Sequence, residues 1–528
     1  MEKTMKFFSM AALALVGAVM TGCSSDSDEL FSEPQQPENK DKVETLTTTV
    51  SFGDGVAATR ALTEGGVKTF AAGDQIAVVY ENTSGTTVKA TSVALAAGDI
   101  TNGGKSANFT VTVTNADKTK PVKYIYPASI ADEYGLVDYK PLDVQDGTFA
   151  TIASSLDACQ GSGAWDGEDL PGLTLANLFT LCKFTIKAGG SDITKDITQL
   201  TISNGDTYIV NPTSSLDAIW VAIRPVGKGD ITIYAAKGKD LYKKTVSGKT
   251  LDMGKIYPIN VTTTKVDGAV SGQFTVNNSG KKVFFSQGNL QATTTNSWST
   301  WTFSFMDHQY STVETNSSSY CTKDYGDKTV VSLFGWGTSG YSHRSLYWQP
   351  YSTNNQDQRY YNAYNDDRYD LNETGESGKA DWGYNAISNG GNTENSGWRT
   401  MTSDEWSYLL TNHTKGWASV NGTNGLVIRP DGVSAAVAAT YTAEAWAVEE
   451  AAGAVFLPAA GVRIGDANLE NKSSVSLVGS KVFYWTATHY NVDGTLNAYR
   501  TYIDAFTTEV TNGGNPACGN AVRLVRDL

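Results

Sequence analysis

Histidine and cysteine are scarce, at four and five residues in a chain of 528. His308, His343, His413 and His489 stand singly, so each reads as a turn or packing residue rather than as a base or ligand. Beyond Cys23, the cysteines Cys159, Cys182, Cys321 and Cys518 are spaced far too widely for a zinc knuckle or a redox Cys-x-x-Cys. Basic residues are also in deficit, with 41 Lys and Arg against 55 Asp and Glu and a formal net charge of -14. That balance argues against nucleic acid as a partner, because a phosphate backbone is bound mainly through clustered Lys and Arg. The sequence has no His-Glu-x-x-His, no Gly-x-Ser-x-Gly elbow and no phosphate-cradling glycine loop followed by Lys and Ser or Thr. Hence no catalytic residue, metal ligand set or cofactor is assigned, and the chain reads as a non-enzyme. The one sustained apolar run, Phe7 to Met20, is too short at about 1.5 Å per helical residue to span a bilayer of roughly 30 Å.

That run follows Lys3 and Lys6 and reads as a signal peptide over residues 1–22. The Met20-Thr21-Gly22-Cys23 that ends it resembles a bacterial lipobox, with Met and Thr where Leu and Ser or Ala are commoner. The resemblance implies a lipid on Cys23 and an outer-membrane lipoprotein precursor at the cell surface; the alternative is an ordinary cleavable signal with Cys23 incidental. Ser24 to Glu29 is polar and acidic and resembles the surface-export signals of lipoproteins from the Bacteroides group. Residues 23–44, with Pro34 and Pro37, lack the apolar content to fold and read as a tether. An exported chain would allow Cys159 to pair with Cys182 and Cys321 with Cys518, one bridge per module; buried thiols are the equal alternative, since connectivity cannot be read from sequence.

A chain this long exceeds what one core organises, so about three domains are expected. Leu46, Thr48, Val50 and Phe52 share one face of a period-two strand over Thr45 to Phe52. Short alternating runs recur at Ile76 to Tyr80, Phe109 to Val113, Tyr124 to Tyr126, Ile219 to Ile223 and Ile231 to Tyr234. Gly, Asn, Asp and Pro separate them without a convincing amphipathic helix, which favours antiparallel β-sandwiches. Two are expected, over residues 45–168 and 169–264.

The segments Thr49-Val50-Ser51-Phe52, Ala58-Thr59-Arg60-Ala61 and Phe70-Ala71-Ala72-Gly73-Asp74-Gln75-Ile76 carry a resemblance, extended by Tyr126-Pro127, Leu175-Ala176-Asn177-Leu178-Phe179 and Gly254-Lys255-Ile256-Tyr257. In that order and spacing, residues 45 to 262 resemble the fimbrillin family, the type V pilus subunits of Bacteroides-group bacteria. The family implies transthyretin-like sandwiches and a precursor whose first strand is removed by a trypsin-like protease after an arginine. A donor strand from the next subunit then fills the groove. Arg60 matches the processing position, between small residues Ala57, Ala58, Thr59 and Ala61, so that Ala61 would begin the mature chain and Cys23 would be discarded.

Ten of the twelve tryptophans lie after residue 290, marking a second kind of module over residues 265–528. Trp301, Phe303 and Phe305 alternate as on a strand. Thr402-Ser403-Asp404-Glu405 has capping-box spacing, followed by Trp406, Leu409 and Leu410 on one helical face. Ala435 to Ala452 is a second helical stretch, weakened by Thr440, Tyr441 and Thr442. With strands at Val455 to Leu457, Val482 to Ala487, Ala498 to Phe506 and Ala521 to Val525, this is an α+β pattern. Trp398, Trp406 and Trp485, on periodic segments, are assigned to the core.

Through Val283-Phe284-Phe285-Ser286-Gln287-Gly288-Asn289-Leu290, Leu333-Phe334-Gly335-Trp336-Gly337 and Asp381-Trp382-Gly383 the module is similar to C-type-lectin-like domains, and more distantly to the formylglycine-generating-enzyme-like fold. Trp398 to Trp406, Phe456 to Arg463 and Ala521 to Asp527 continue the match. The calcium-dependent sugar motifs of animal lectins are absent. The candidate contact surface is the aromatic stretch Trp348 to Tyr369, where Trp348, Tyr351, Tyr360, Tyr361, Tyr364 and Tyr369 alternate with Asn365, Asp366 and Asp367. Such a mixture stacks on sugar rings and bonds hydroxyls, and equally suits a protein receptor; the competing reading is an Ω-loop packed on its own domain. Asp366, Asp367 and Asp370 could bind calcium, but their spacing fits a solvated turn as well.

The fold expected is therefore mainly β: two tandem transthyretin-like antiparallel β-sandwiches followed by an α+β C-type-lectin-like domain. The function implied is a fimbrial tip subunit and adhesin that accepts a shaft subunit's donor strand. The alternative is a lipid-anchored glycan-binding protein of a polysaccharide-uptake system.

Overall fold

The structure, a computed structural model, describes residues 41–52, 69–156, 158–294, 301–313, 329–339, 370–371, 377–465, 473–492, 495–516 and 518–528. It is mainly β, built from several sheets.

The leading sheet begins with β1 (Val43–Phe52), β2 (Ala77–Glu81), β3 (Thr87–Thr91), β4 (Ile100–Thr101), β5 (Ser106–Thr114) and β6 (Val122–Tyr126). The short β7 (Val144–Gln145) leaves it, and β8 (Cys159–Gly163) and β9 (Leu173–Asn177) return to give the order β3-β2-β6-β8-β9-β1-β5-β4. The alternation read in the sequence places Phe109, Val111 and Val113 in one buried core with Val50, Phe70, Val78, Tyr80, Tyr124 and Tyr126.

The second sheet comprises β10 (Thr180–Ala188), β11 (Ser191–Asp192), β12 (Gln199–Ser203), β13 (Thr207–Val210), β14 (Ile219–Ile223), β15 (Val226–Lys237), β16 (Asp240–Leu251) and β17 (Ile256–Lys265), with β7 joining its edge. Every residue of β14 is buried, as a near-continuous apolar strand requires. Within these two sheets three pairings are parallel, β1 with β9, β7 with β13 and β10 with β17, so the antiparallel expectation holds for most of their ladders but not these. Each joins strands separated by a long excursion of chain, which is the condition under which parallel pairing arises.

The two β units share a wall. Ala77 and Val79 of β2 and Ile125 of β6 enter the second core, while Val78, Tyr80, Tyr124 and Tyr126 on the opposite faces of the same strands enter the first. The chain leaves the leading sheet only after Asn177, beyond the 168/169 boundary drawn from sequence. Cys159 lies in the first core and its thiol donates to Asn177 Oδ1 at 2.7 Å; Cys182 lies in the second core. The two are therefore separate thiols rather than a bridge, and burial pushes the Cys182 thiol up to about 12.

After β17 the texture changes as the tryptophans suggest. Thr402 caps the helix Ser403–Asn412, accepting from Glu405 N at 3.2 Å while Glu405 Oε2 accepts from Thr402 N at 3.0 Å. Trp406, Leu409 and Leu410 are buried on one helical face, and Trp398 and Trp485 are core residues as well. The second helix covers Ala443–Ala451, less than the 435–452 expected. Its start is set by Thr442, whose hydroxyl accepts from Ala445 N, and Thr440–Tyr441 before it forms a short strand beside Ser419 and Val420. This region seats directly on the second sheet, because Tyr234 and Leu241 join its core beside Phe284.

The cap residue Glu405 has a second task. Arg399 grips it with two bonds of 2.6 and 2.8 Å and reaches Asp527 Oδ1 at 2.6 Å, tying helix, strand and C-terminal segment together. Burial opposes the Glu405 charge, but the Arg399 guanidinium outweighs it and holds the carboxyl below the ordinary glutamate range. Its contribution to stability is therefore complete above the unfolded value of about 4.3 and is lost as pH falls through the lower folded value. Glu405→Gln should cost about 3 kcal/mol, read from the unfolding midpoint at pH 7, with the deficit shrinking in acid; an unchanged midpoint would refute the tie. At the seam with the second unit, a Cβ on Gly272 would sit 2.0 Å from the Gly453 carbonyl oxygen. Gly272→Ala should therefore lose about 2 kcal/mol and expose the seam to proteolysis.

Candidate functional site

The leading strand Val-Glu-Thr-Leu-Thr-Thr-Thr-Val-Ser-Phe is β-branched at six of its ten positions, which favours an extended chain on a pleated surface. Its inward face carries Glu44, Leu46, Thr48, Val50 and Phe52, and its outward face Thr45, Thr47, Thr49 and Ser51. Along one flank β1 pairs antiparallel with β5 from Val43↔Thr114 to Ser51↔Ser106. Along the other it meets β9 only at Val50, Ser51 and Phe52. It is thus an interior strand at one end and an edge strand along the rest.

Side chains fix the register. On the outward face Thr45 bonds Thr112 at 3.1 Å, Thr47 bonds Thr110 at 3.0 Å, Thr49 donates to Asn108 at 2.8 Å and Ser51 bonds Thr174 at 3.1 Å. On the inward face Thr48 Oγ1 donates to Pro171 O at 2.7 Å, beside Tyr124 Oη, which donates to the same oxygen at 2.9 Å. Burial pushes the Tyr124 phenol up to about 12. Val50 is fully buried, and Phe52 stacks on Phe70 at 4.1 Å and meets Tyr126 edge-on at 5.6 Å.

The N-terminal end is anchored by charge. Lys118 Nζ donates to Glu44 Oε1 at 2.9 Å, to Glu168 Oε2 at 2.8 Å and to Glu168 O at 2.7 Å, with the Trp165 ring 5.5 Å away. Burial works against the Lys118 charge, but the two carboxylates overcome it and raise the ammonium above its ordinary value. The hydrogen bond from Lys118 holds the Glu44 carboxyl below its ordinary range. Beside this cluster Lys42 N donates to Asn115 Oδ1 at 2.7 Å and Asn115 N donates back to Lys42 O at 2.8 Å.

Of the residues singled out by sequence, Cys23, Arg60, Ala61 and Cys321 lie outside the described residues, as does the whole stretch Trp348 to Tyr369 with Tyr351, Tyr360, Tyr361, Tyr364, Asn365, Asp366 and Asp367. Asp370 is described, and its Oδ1 accepts from His489 N at 2.8 Å and meets His489 Nδ1 at 2.7 Å, which fixes its orientation. Among the described residues no group of three or more His, Cys, Asp and Glu could hold a metal ion.

One cluster escaped sequence reading. Between β12, β13 and the C-terminal region lies a cavity of about 1140 Å³ whose wall includes Thr275, Lys282, His413 and Asp431. Asp431 Oδ1 accepts from Thr275 N at 2.9 Å and meets His413 Nε2 at 2.9 Å; Oδ2 accepts from Thr275 Oγ1 at 2.8 Å and from Lys282 Nζ. Burial would raise this carboxyl, yet His413, Lys282 and Thr275 together hold it well below the ordinary range. Both oxygens are occupied by the protein itself, so the cluster is a structural clasp rather than a free base. No local pattern announces residues at 275, 282, 413 and 431 as neighbours.

No protein-family model matches the chain, and no curated protein matches it. Among solved structures it is similar to a fimbrial protein from Bacteroides ovatus, at 11% identity and a TM-score of 0.23, covering 91% of this chain and 98% of that one. A fimbrial assembly protein from Parabacteroides distasonis matches at 11% identity and a TM-score of 0.25, over 46% of this chain and 96% of that one. The C-terminally truncated tip fimbrial protein of Porphyromonas gingivalis matches at 11% identity and a TM-score of 0.20, over 39% of this chain and 81% of that one. Likeness at this level leaves function to be argued from the residues.

Proposed function

We propose that this chain is a fimbrial tip subunit, made as an outer-membrane lipoprotein precursor through Cys23. Cleavage at Arg60 by a trypsin-like protease frees β1, and a shaft subunit's donor strand takes its place. The observation that carries this reading is the lopsided seat of β1, bonded along its length to β5 but to β9 only at Val50 to Phe52. Its departure leaves the inner edge of β5 and an apolar slot lined by Phe70, Phe109, Tyr124 and Tyr126, a site suited to β-strand addition.

The other end of the β units supports acceptance without donation. β17 is paired with β10 from Ile256 to Thr263, Val266 N then bonds Leu241 O at 2.8 Å, and the chain runs on into the C-terminal region. Offering β17 to a neighbour would tear that region from its seat on Tyr234 and Leu241. The C-terminal region, over residues 265–528, is in this reading a C-type-lectin-like adhesion domain that presents Trp348 to Tyr369 to a glycan or protein receptor.

Protein treated with a trypsin-like protease should bind a shaft subunit's donor strand yet form no fibres by itself; fibres of the pure protein would refute the tip assignment. Sequencing the N terminus of surface-exposed protein should give Ala61. A lipid-blocked Cys23 would instead identify the permanently anchored glycan-binding protein.

A further inference from the structure

The seat of β1 also specifies what can replace it. Lys118 is the most demanding element, because its side chain is only 13% exposed and an ammonium has three N–H donors. Glu44 takes one of them, and the carboxylate and carbonyl of Glu168 take the others. A strand without an acid at the Glu44 register would take one charged partner from a partly buried cation, and a strand with a base there would set two cations side by side. At the opposite end Phe70 and Tyr126 form a slot that an aromatic ring fills. Between them Val50 fills a fully buried position, and Thr48 supplies one of two donors to Pro171 O.

We infer that the incoming strand carries a carboxylate at the Glu44 register and an aromatic residue eight positions later at the Phe52 register, with a hydroxyl and a β-branched residue between them at the Thr48 and Val50 registers. This rests on the strand-exchange reading and names the chemistry of its partner. Acid and ring stand about 26 Å apart at roughly 3.3 Å per residue, so together they accept one register. A slip of one residue turns every inward side chain outward; a slip of two sets the acid beside Val111, the β5 partner of Leu46 in the apolar core. The ranking follows from the partners lost. A base in place of the acid costs most, loss of the acid or of the ring costs less, and loss of the hydroxyl costs least, because Tyr124 still serves Pro171 O when Thr48 is gone.

The test uses the full chain clipped by trypsin and a fluorescent peptide with the sequence Val43 to Phe52, followed by displacement of the clipped strand. The parent peptide should bind. Glu44→Gln in the peptide should weaken binding about tenfold and Glu44→Lys about a hundredfold, about one and two factors of 1.4 kcal/mol. Phe52→Ala should weaken it about tenfold and Thr48→Val about threefold. In the protein, K118E should reverse the preference so that the Glu44→Lys peptide binds better than the parent, and K118M should erase the preference without reversing it. If the parent peptide fails to bind clipped protein, strand exchange itself falls and this inference with it. If the parent binds but the Glu44 variants bind within threefold of it, strand exchange survives and the inference is overturned.

Discussion

The structure depends on β2 and β6 being buried on both faces. Ala77, Val79 and Ile125 look into the second core while Val78, Tyr80, Tyr124 and Tyr126 look into the first. A strand packed on two sides cannot swing without opening two cores, so this wall is the fixed member against which the rest is arranged. β1 is not part of it. It lies across the first core from the wall, contributes Thr48 and Val50 as its only fully buried residues, and hangs between β5 and the tip of β9. Tyr124 and Tyr126 of the groove it occupies stand on that wall, whereas Phe109 stands on β5, whose ladders among the described residues are only with β1 and β4.

What holds β1 is distributed unevenly. The exposed pairs of Lys42 with Glu44 and Glu168, both at 3.4 Å, belong to a class worth about 0–1 kcal/mol. Burial of Val50 is worth about 1.5–3 kcal/mol, and the half-buried Phe52 adds its ring contacts with Phe70 and Tyr126. The Lys118 anchor acts mainly by selection, since a partly buried ammonium beside Glu168 favours an acid and repels a base at the Glu44 register. Affinity thus sits at the Phe52 end and discrimination at the Glu44 end, which is the arrangement expected of an interface that must bind firmly yet reject a shifted register.

Much of this was legible in the residues, and the limits have physical causes. Period-two runs located β5, β6 and β14, and the capping box at Thr402 located its helix start, because each signal is local. The stretch 435–452 misled, since alanine content promotes a helix but cannot say where a threonine hydroxyl will begin one. The two-faced wall was hidden because Ile76 to Tyr80 reads as one strand whichever cores its faces enter. The Lys118 anchor joins residues 74 and 50 positions apart, and the Asp431 clasp joins residues 156, 149 and 18 apart. Composition carries no trace of such meetings. The closing motif Ala521 to Asp527 was read as a family mark, yet Arg523 within it is an interior cation. Burial pushes it down to about 10, and Gln309 connects it to Glu450.

The seam between the β units and the C-terminal region bears on how a pull at one end would reach the other. Tyr234 and Leu241 enter the C-terminal core, Gln273 bonds Thr201 and Gln199, and Ser271 bonds Gly238 O, while Gly272 between them packs inside the C-terminal region against Gly453 with no room for a side chain. Lys282, Thr275 and His413 converge on Asp431 close by. A linker would let the C-terminal region swivel and spend force on reorientation. The apolar contact of Tyr234 and Leu241 and the hydrogen bonds of Ser271 and Gln273 act together across the seam against rotation about any single bond, so the second sheet and the C-terminal region meet through several contacts rather than through one pivot.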